Sequence, residues 1–168
     1  KTSKGNIDVQ LYGENSPVTV SNFIQNVKKN IYKNTRFYNI INFPQVQLMH
    51  SGTYPENNYR KKENQNLNKI RRNIPLEIKF KKEIEPIYKH EIVNPSEISK
   101  LTNFFEKGSL GMVKSGEKTS SSTEFFFVTN KFPELDGRYS IFGKVLKGIE
   151  ILQKLDKEDL IYEIIISD

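Results

Sequence analysis

The chain has 168 residues, 36% hydrophobic and 27% charged, with a formal net charge of +6, no cysteine and two histidines. That suits a single domain over 1–168 with a real core, and excludes a disordered chain, a disulfide framework and thiolate metal sites. No apolar run approaches the roughly 18 residues of a membrane-spanning helix, and His50 and His90 stand far apart with no ligand cluster around them, so no metal is expected.

Ile7, Val9 and Leu11 alternate with Asn6, Asp8 and Gln10, so Thr2 to Tyr12 is expected as a strand with one buried face. After a turn at Gly13 to Ser16, SPVTVSNFIQNVKKNIY reads as a helix. Ser16 suits the N-cap and Pro17 the first helical position. Val20, Phe23, Ile24, Val27 and Ile31 fall on one face, and Asn30 suits a stop. TRFYNII, from Thr35 to Ile41, is rich in aromatic and β-branched residues and predicts a second strand, followed by a short one near Gln45 to Met49.

Gly52 to Asn73 is polar and punctuated by Pro, Asn and Lys, which predicts a long surface loop. Basic residues concentrate from Arg60 to Lys82 (RKKENQNLNKIRRNIPLEIKFKK). Such a cluster is compatible with nucleic acid or anionic lipid. Asparagine interleaves the charges, however, and no aromatic platform for stacking bases accompanies them. A solvated loop is the preferred reading, and nucleic acid is not expected as a partner.

IPLEIKF (Ile74 to Phe80) resumes alternation. NPSEISKLTNFFEKG predicts a second short helix, capped by Ser96 and ended by Gly108, with Ile98, Leu101 and Phe105 inward. SLGMVKS reads as a strand, SGEKTSSST as a loop, and EFFFVTN as an interior strand, apolar on both faces. A strand over Arg138 to Lys144 follows the Asp-Gly turn. A short helix over Gly148 to Leu155 and a closing strand in LIYEIIISD complete the chain. Many short strands with two or three helices imply a β-rich domain, and closure into a barrel would remove exposed edges.

Taken in order, TSKGNIDVQLY, SPVTVSNFIQNV, TRFYNII, GSLGM, EFFFV, LDGRYSIFGKVLKGIEIL and the terminal IIISD resemble the cyclophilins, a family of peptidyl-prolyl cis–trans isomerases, over nearly the whole chain. The resemblance implies a mainly β fold: a closed antiparallel eight-stranded barrel capped by two helices, here with a long insert at about residues 52–107. It also implies a monomer that acts on Pro-containing peptide or protein segments without a cofactor. IPLEI with its insert before GSLGM, and the tyrosine of LDGRY, are similar to the thylakoid-lumen and cyanobacterial branch, which implies an organellar location.

Rotation about a prolyl peptide bond must break amide resonance, a barrier of about 18–20 kcal/mol. A donor aimed at the prolyl nitrogen stabilises the twisted amide, whose lone pair becomes available only as the bond turns. The resemblance implies an arginine as that donor, on the strand reading TRFYNII. Alignment without gaps puts Asn39 at its position and Tyr38 at a preceding histidine. Arg36 is three residues away, so on a regular strand it points to the other face. A neutral Asn amide is shorter and bonds more weakly than a guanidinium. Losing one transition-state donor costs on the order of 3 kcal/mol, about a hundredfold in rate.

The same alignment puts Gln47 at a glutamine that orients the arginine and binds substrate backbone. Phe126 falls at the floor of the proline pocket, Leu135 at its wall and Tyr139 at a pocket histidine. Met112 and Val113 fall at a Met-Ala pair, Lys114 at the asparagine after it, Glu124 at a glutamine, and Pro44 and Gln45 at a Phe-Met pair. Glu134 replaces the tryptophan that contacts cyclosporin, so weak cyclosporin binding is expected. Register is open from Glu117 to Ser122. Phe125, Phe127 and Phe142 are expected in the core whatever the function, while Leu135 and Tyr139 equally suit a cover over the barrel end. Two readings follow: an isomerase with reduced or absent turnover, and a non-catalytic module that holds Pro-containing segments.

Overall fold

The computed structural model describes residues 1–53 and 72–167, so Arg60 to Arg71 of the basic segment and most of the expected loop after Gly52 lie outside the described residues. In chain order the elements are β1 (Asp8–Leu11), α1 (Pro17–Lys28), β2 (Thr35–Arg36), β3 (Asn39–Asn42), β4 (Gln47–Gly52), β5 (Asn73–Pro75), β6 (Glu77–Ile78), β7 (Ile87–Tyr88), α2 (Pro95–Ile98), β8 (Ser109–Gly116), β9 (Thr119–Val128), β10 (Ile141–Lys147), α3 (Ile149–Leu152) and β11 (Leu160–Ile161). The architecture is mainly β and antiparallel, as expected. Pairing runs β1-β10-β8-β9-β4-β3 with β5 also on β9, and β2–β11 and β6–β7 form two-stranded ribbons. Among the described residues the largest sheet joins seven strands, with β1 and β3 at the two ends of its order.

Strand β9 is apolar on both faces because it separates two cores. Phe125 and Phe127 enter the main one with Met49, Leu110, Met112, Phe142 and the α1 residues Val20 and Phe23. Phe125 meets Phe23 and Tyr32 edge-on, at ring-centroid distances of 5.5 and 5.3 Å. Phe126 and Val128 point the other way and pack with Val46, Leu48, Phe105 and Ile141. A third, smaller cluster of Leu76, Ile78, Ile92 and Leu101 lies in the segment after the undescribed residues.

Helix α1 begins at Pro17 as its sequence predicts, but Ser16 does not cap it with its side chain. The Ser16 hydroxyl donates instead to the Ile141 carbonyl at 3.0 Å. Glu77 supplies the anion: its carboxylate accepts from the Val18 and Thr19 N–H groups at 3.0 and 2.8 Å and from the Thr19 hydroxyl at 2.6 Å. A carboxylate here satisfies donors that the first helical turn leaves free and meets the positive end of the helix dipole. Asn22 and Asn26 tie the same helix to β9, both donating to the Ser122 carbonyl, at 2.6 and 2.7 Å. The helix stops before Asn30, which takes a left-handed φ of 55°.

Several expectations need correction. TRFYNII is two strands, broken at Phe37 and Tyr38, with Phe37 buried in the main core. SGEKTSSST is not a loop: β8 and β9 turn at Glu117 and Lys118, and Ser120 to Thr123 are buried strand residues. Three of the four have side-chain partners: the Ser121 hydroxyl donates to Glu124 at 3.1 Å, the Ser122 hydroxyl accepts from Arg72 N–H at 3.0 Å and the Thr53 and Thr123 hydroxyls lie 2.6 Å apart, while the Ser120 hydroxyl is buried without one. The second helix shrinks to one turn, and its cap is Asn94, whose Oδ1 accepts from Ser96 N–H at 3.0 Å, not Ser96. A longer helix would put Leu101 and Phe105 on one face. They are needed in different clusters, so the chain extends between them. The strand expected from Arg138 starts at Ile141, and the closing strand is limited to Leu160–Ile161.

The turn before β10 is held by Asp136, whose Oδ1 accepts from Phe105 N–H at 2.7 Å. Gly137 follows with a φ of 72°, and a Cβ there would lie 2.2 Å from the Ile92 carbonyl oxygen. Burial pushes the Asp136 carboxyl above its ordinary value of 3.8, against the downward pull of the Phe105 N–H. A carboxyl shifted up favours the fold while protonated, and that contribution is lost as pH rises through its folded-state value. Asp136→Asn keeps an acceptor without the charge. The variant should therefore be more stable than the parent near neutral pH and show a flatter dependence of melting temperature above the ordinary carboxyl range, by thermal melts across pH. Glu77→Ala strands the Thr19 N–H and hydroxyl in the interior, each costing about 1–3 kcal/mol, and also frees the part-buried Val18 N–H. A loss of about 3 kcal/mol or more is expected by urea denaturation, and a loss within about 0.5 kcal/mol would show that the cap is dispensable.

Candidate functional site

The β3–β4 hairpin pairs Asn39 with His50, Ile40 with Met49, Ile41 with Leu48 and Asn42 with Gln47. Across β4 and β9, Leu48 faces Val128, His50 faces Phe126 and Gly52 faces Glu124. Phe126 in turn faces Gly111 of β8. Opposed residues share a sheet face. Asn39, His50, Phe126 and Gly111 therefore form one row across four strands, on the face away from the main core, with Ile41, Leu48 and Val128 beside it.

Gly111 makes room for this row: a Cβ there would sit 2.7 Å from Phe126 Cζ and 2.9 Å from Phe105 Cε1. Phe105 stacks on Phe126 at 5.7 Å and 14° between ring planes. His50 lies tilted against Phe126 at 5.5 Å and 37°, and Tyr139 meets it edge-on at 5.5 Å and 85°. These rings leave Phe126 only 1% exposed. Leu135, Val113 and Phe132 pack against the same cluster, Leu135 from a 3-10 turn at Pro133–Leu135. The Lys114 ammonium lies 5.4 Å from the centroid of Tyr139 and pairs with Glu91. Glu124 accepts from the Tyr38 hydroxyl at 3.3 Å and the Ser121 hydroxyl at 3.1 Å.

Of the residues singled out in the sequence, Asn39, Phe126, Val113, Leu135 and Tyr139 lie on this face or pack against it, and Glu124 flanks it on β9. Four others lie elsewhere. Gln47 faces Asn42 rather than Asn39, and its Nε2 donates to Asn42 Oδ1 at 2.8 Å. Gln45 is exposed in the hairpin link, where its carbonyl accepts from Asn130 Nδ2 at 3.1 Å. Met112 is fully buried in the main core, opposite Phe125. Arg36 stands on the β2–β11 ribbon, where it faces Leu160 and pairs with Glu158.

Sequence reasoning missed His50, Leu48, Val46 and Phe105. The signal for the first three was turn chemistry. Phe43 N–H donates to the Val46 carbonyl at 2.9 Å, closing a four-residue link around Pro44. Counting outward from a turn centred there puts Asn39 opposite His50. Phe105 carried no such signal, being expected on a helix.

His50 is the electrostatically unusual member of the row. Burial lowers its pKa below the ordinary 6.5, with the Asn39 backbone acting the other way. Its Nδ1 is buried with no hydrogen-bond partner. Among the described residues no group of three or more His, Cys, Asp or Glu side chains could hold a metal ion, and no helix is long and apolar enough to cross a membrane.

A family model described as "Cyclophilin type peptidyl-prolyl cis-trans isomerase/CLD" matches residues 1–164. Curated relatives include peptidyl-prolyl cis-trans isomerase 9 of Schizosaccharomyces pombe, 28% identical over 93% of this chain and 21% of that protein. They also include a peptidyl-prolyl cis-trans isomerase of Acinetobacter baylyi, 29% identical over 92% of this chain and 69% of that protein. This chain therefore spans about a fifth of the length of the first and about two thirds of the second. Among solved structures, a Cryptosporidium parvum cyclophilin-type isomerase crystallised with the dipeptide Ala-Pro has a TM-score of 0.64 and 22% identity, covering 99% of this chain and 96% of that one. A cyclophilin of Hirschia baltica has the same TM-score at 16% identity, covering 96% and 70%. The structural likenesses bear on fold; the family match, running from the first residue past β11, shows that the chain belongs to the cyclophilin-type peptidyl-prolyl cis-trans isomerase family.

Proposed function

We propose that this domain binds Xaa-Pro segments and isomerises them slowly, because the donor that the reaction needs is reduced to the Asn39 amide. The observation that carries the reading is the row itself: Asn39 shares a face with Phe126, while Arg36 is engaged on another ribbon. A proline ring against the Phe126 cluster would bring its amide toward Asn39. An uncharged amide stabilises the nitrogen lone pair of the twisted bond less than a guanidinium would. The exposed Glu134, on the turn before Leu135, supports weak binding of cyclosporin.

A second reading, a module that holds Pro-containing segments without turnover, draws support from the near-complete cover over Phe126. A cis–trans exchange assay on a short Xaa-Pro peptide separates the two. Wild-type exchange is expected to be low but above background, and Asn39→Arg should raise it by about a hundredfold. Binding with no exchange in either protein favours the holding module. Rapid wild-type exchange that Asn39→Arg leaves unchanged would remove Asn39 from the account.

A further inference from the structure

We propose that His50 is the side chain that hydrogen-bonds the backbone of a bound Xaa-Pro segment, donating to a peptide carbonyl as the His50–Tyr139 cover over Phe126 opens. The assignment rests on the reading of the domain as a Xaa-Pro binder. Position is the first argument. In the row, His50 stands between Asn39 and Phe126. A segment whose proline lies on Phe126 and whose amide reaches Asn39 must therefore cross the imidazole.

Unmet hydrogen bonding is the second. Nδ1 is buried without a partner among rings and aliphatic groups, and the Asn39 backbone is the one polar group that acts on the imidazole. Buried polar atoms are nearly always paired, and an exception asks for an explanation. The cover that leaves Phe126 1% exposed is made partly by the His50 ring. One movement thus uncovers the apolar floor and gives the imidazole access to a partner.

Ligand chemistry is the third. Proline has a carbonyl but no N–H, so an Xaa-Pro segment is rich in acceptors and poor in donors. An imidazole always carries at least one N–H. Its polar neighbours suit the task less well. The Glu124 carboxylate accepts from Tyr38 and Ser121, Lys114 pairs with Glu91, and the Gln47 amide donates to Asn42. The titratable groups on the elements packed around His50 are Tyr38 just before β3, Glu124 on β9, Lys114 on β8 and Tyr139 before β10, with Glu91 beyond Lys114. A carbonyl partner favours the imidazolium, so the complex raises the pKa of His50 and binding tightens as pH falls.

The test is an NMR titration of the 15N-labelled domain with an Ala-Ala-Pro-Ala peptide, for wild type, His50→Leu and His50→Gln, at about pH 5.5 and about pH 7.5. His50→Leu should weaken binding about tenfold or more while its amide spectrum remains folded. His50→Gln, which keeps a donor, should stay within about threefold of wild type near neutral pH but lose the tightening at acid pH. Leucine binding as well as or better than histidine overturns the assignment, and so does a pH dependence that survives in the glutamine variant. The glutamine result decides alone should the leucine variant unfold. A wild-type domain that shows no peptide binding overturns the functional reading and this assignment with it, whereas binding indifferent to His50 overturns the assignment only.

Discussion

Side chains alternate from face to face along a strand, so the length of one hairpin link decides which residues of β3 and β4 stand beside Phe126. Phe43 and Val46 close that link with a single backbone hydrogen bond, and the pairing that follows sets Asn39 against His50 and Ile41 against Leu48. A slip of one residue would exchange His50 with Met49, which is fully buried in the main core. That would put a methionine on the site face and an imidazole among phenylalanines. The main core therefore enforces the register of the site. Met49, Phe125 and Phe127 have to lie inside, and His50 and Phe126 lie outside as a consequence.

The frame behind that sheet is tied by polar bonds in the interior. The Glu77 carboxylate holds the start of α1 while its N–H donates to the Ser140 hydroxyl at 2.8 Å, one residue from Tyr139. The Ser16 hydroxyl reaches Ile141, the first residue of β10. The segment that carries Tyr139 is thereby fixed to the helix on one side. Asp136 and Gly137 fix it on the other, through Phe105 and Ile92. A ring placed over Phe126 by such bonds is positioned by the scaffold rather than by the ring contacts alone. These bonds are made once and lie out of water, where losing one partner strands the other.

Periodic features of the sequence were legible, and features that depend on distant partners were not. The apolar face of α1, the interior character of EFFFV and the split of Phe126 from Phe125 and Phe127 all follow from spacing, and the structure has them. Ser120 to Thr123 read as loop because their polarity is local information, while the Asn22 and Asn26 amides that make a strand there sit about a hundred residues away. The helix from Asn94 was over-extended because Leu101 and Phe105 have helical spacing but separate destinations. At the candidate site, the resemblance pointed to Asn39 and Phe126, which the strand pairing sets in one row. His50 was not singled out, because its place beside Phe126 follows from the pairing of the hairpin and not from any motif.

On the proposed reading, two departures act on different parts of the reaction. An arginine replaced by Asn39 removes stabilisation that exists only when the prolyl amide is twisted, and so lowers kcat. The cover over Phe126 acts earlier. A site that binds only when open has its affinity reduced by the open fraction, and this weakens ground state and transition state alike. It therefore appears in KM and leaves kcat unchanged. The two also differ in what restores them. A guanidinium at Asn39 supplies charge to the twisted amide but does nothing to lift His50 or Tyr139 from Phe126. A ligand that satisfies the imidazole lifts them without supplying the missing charge. Binding and turnover are thus set by neighbouring residues of one row, and each can change while the other is kept.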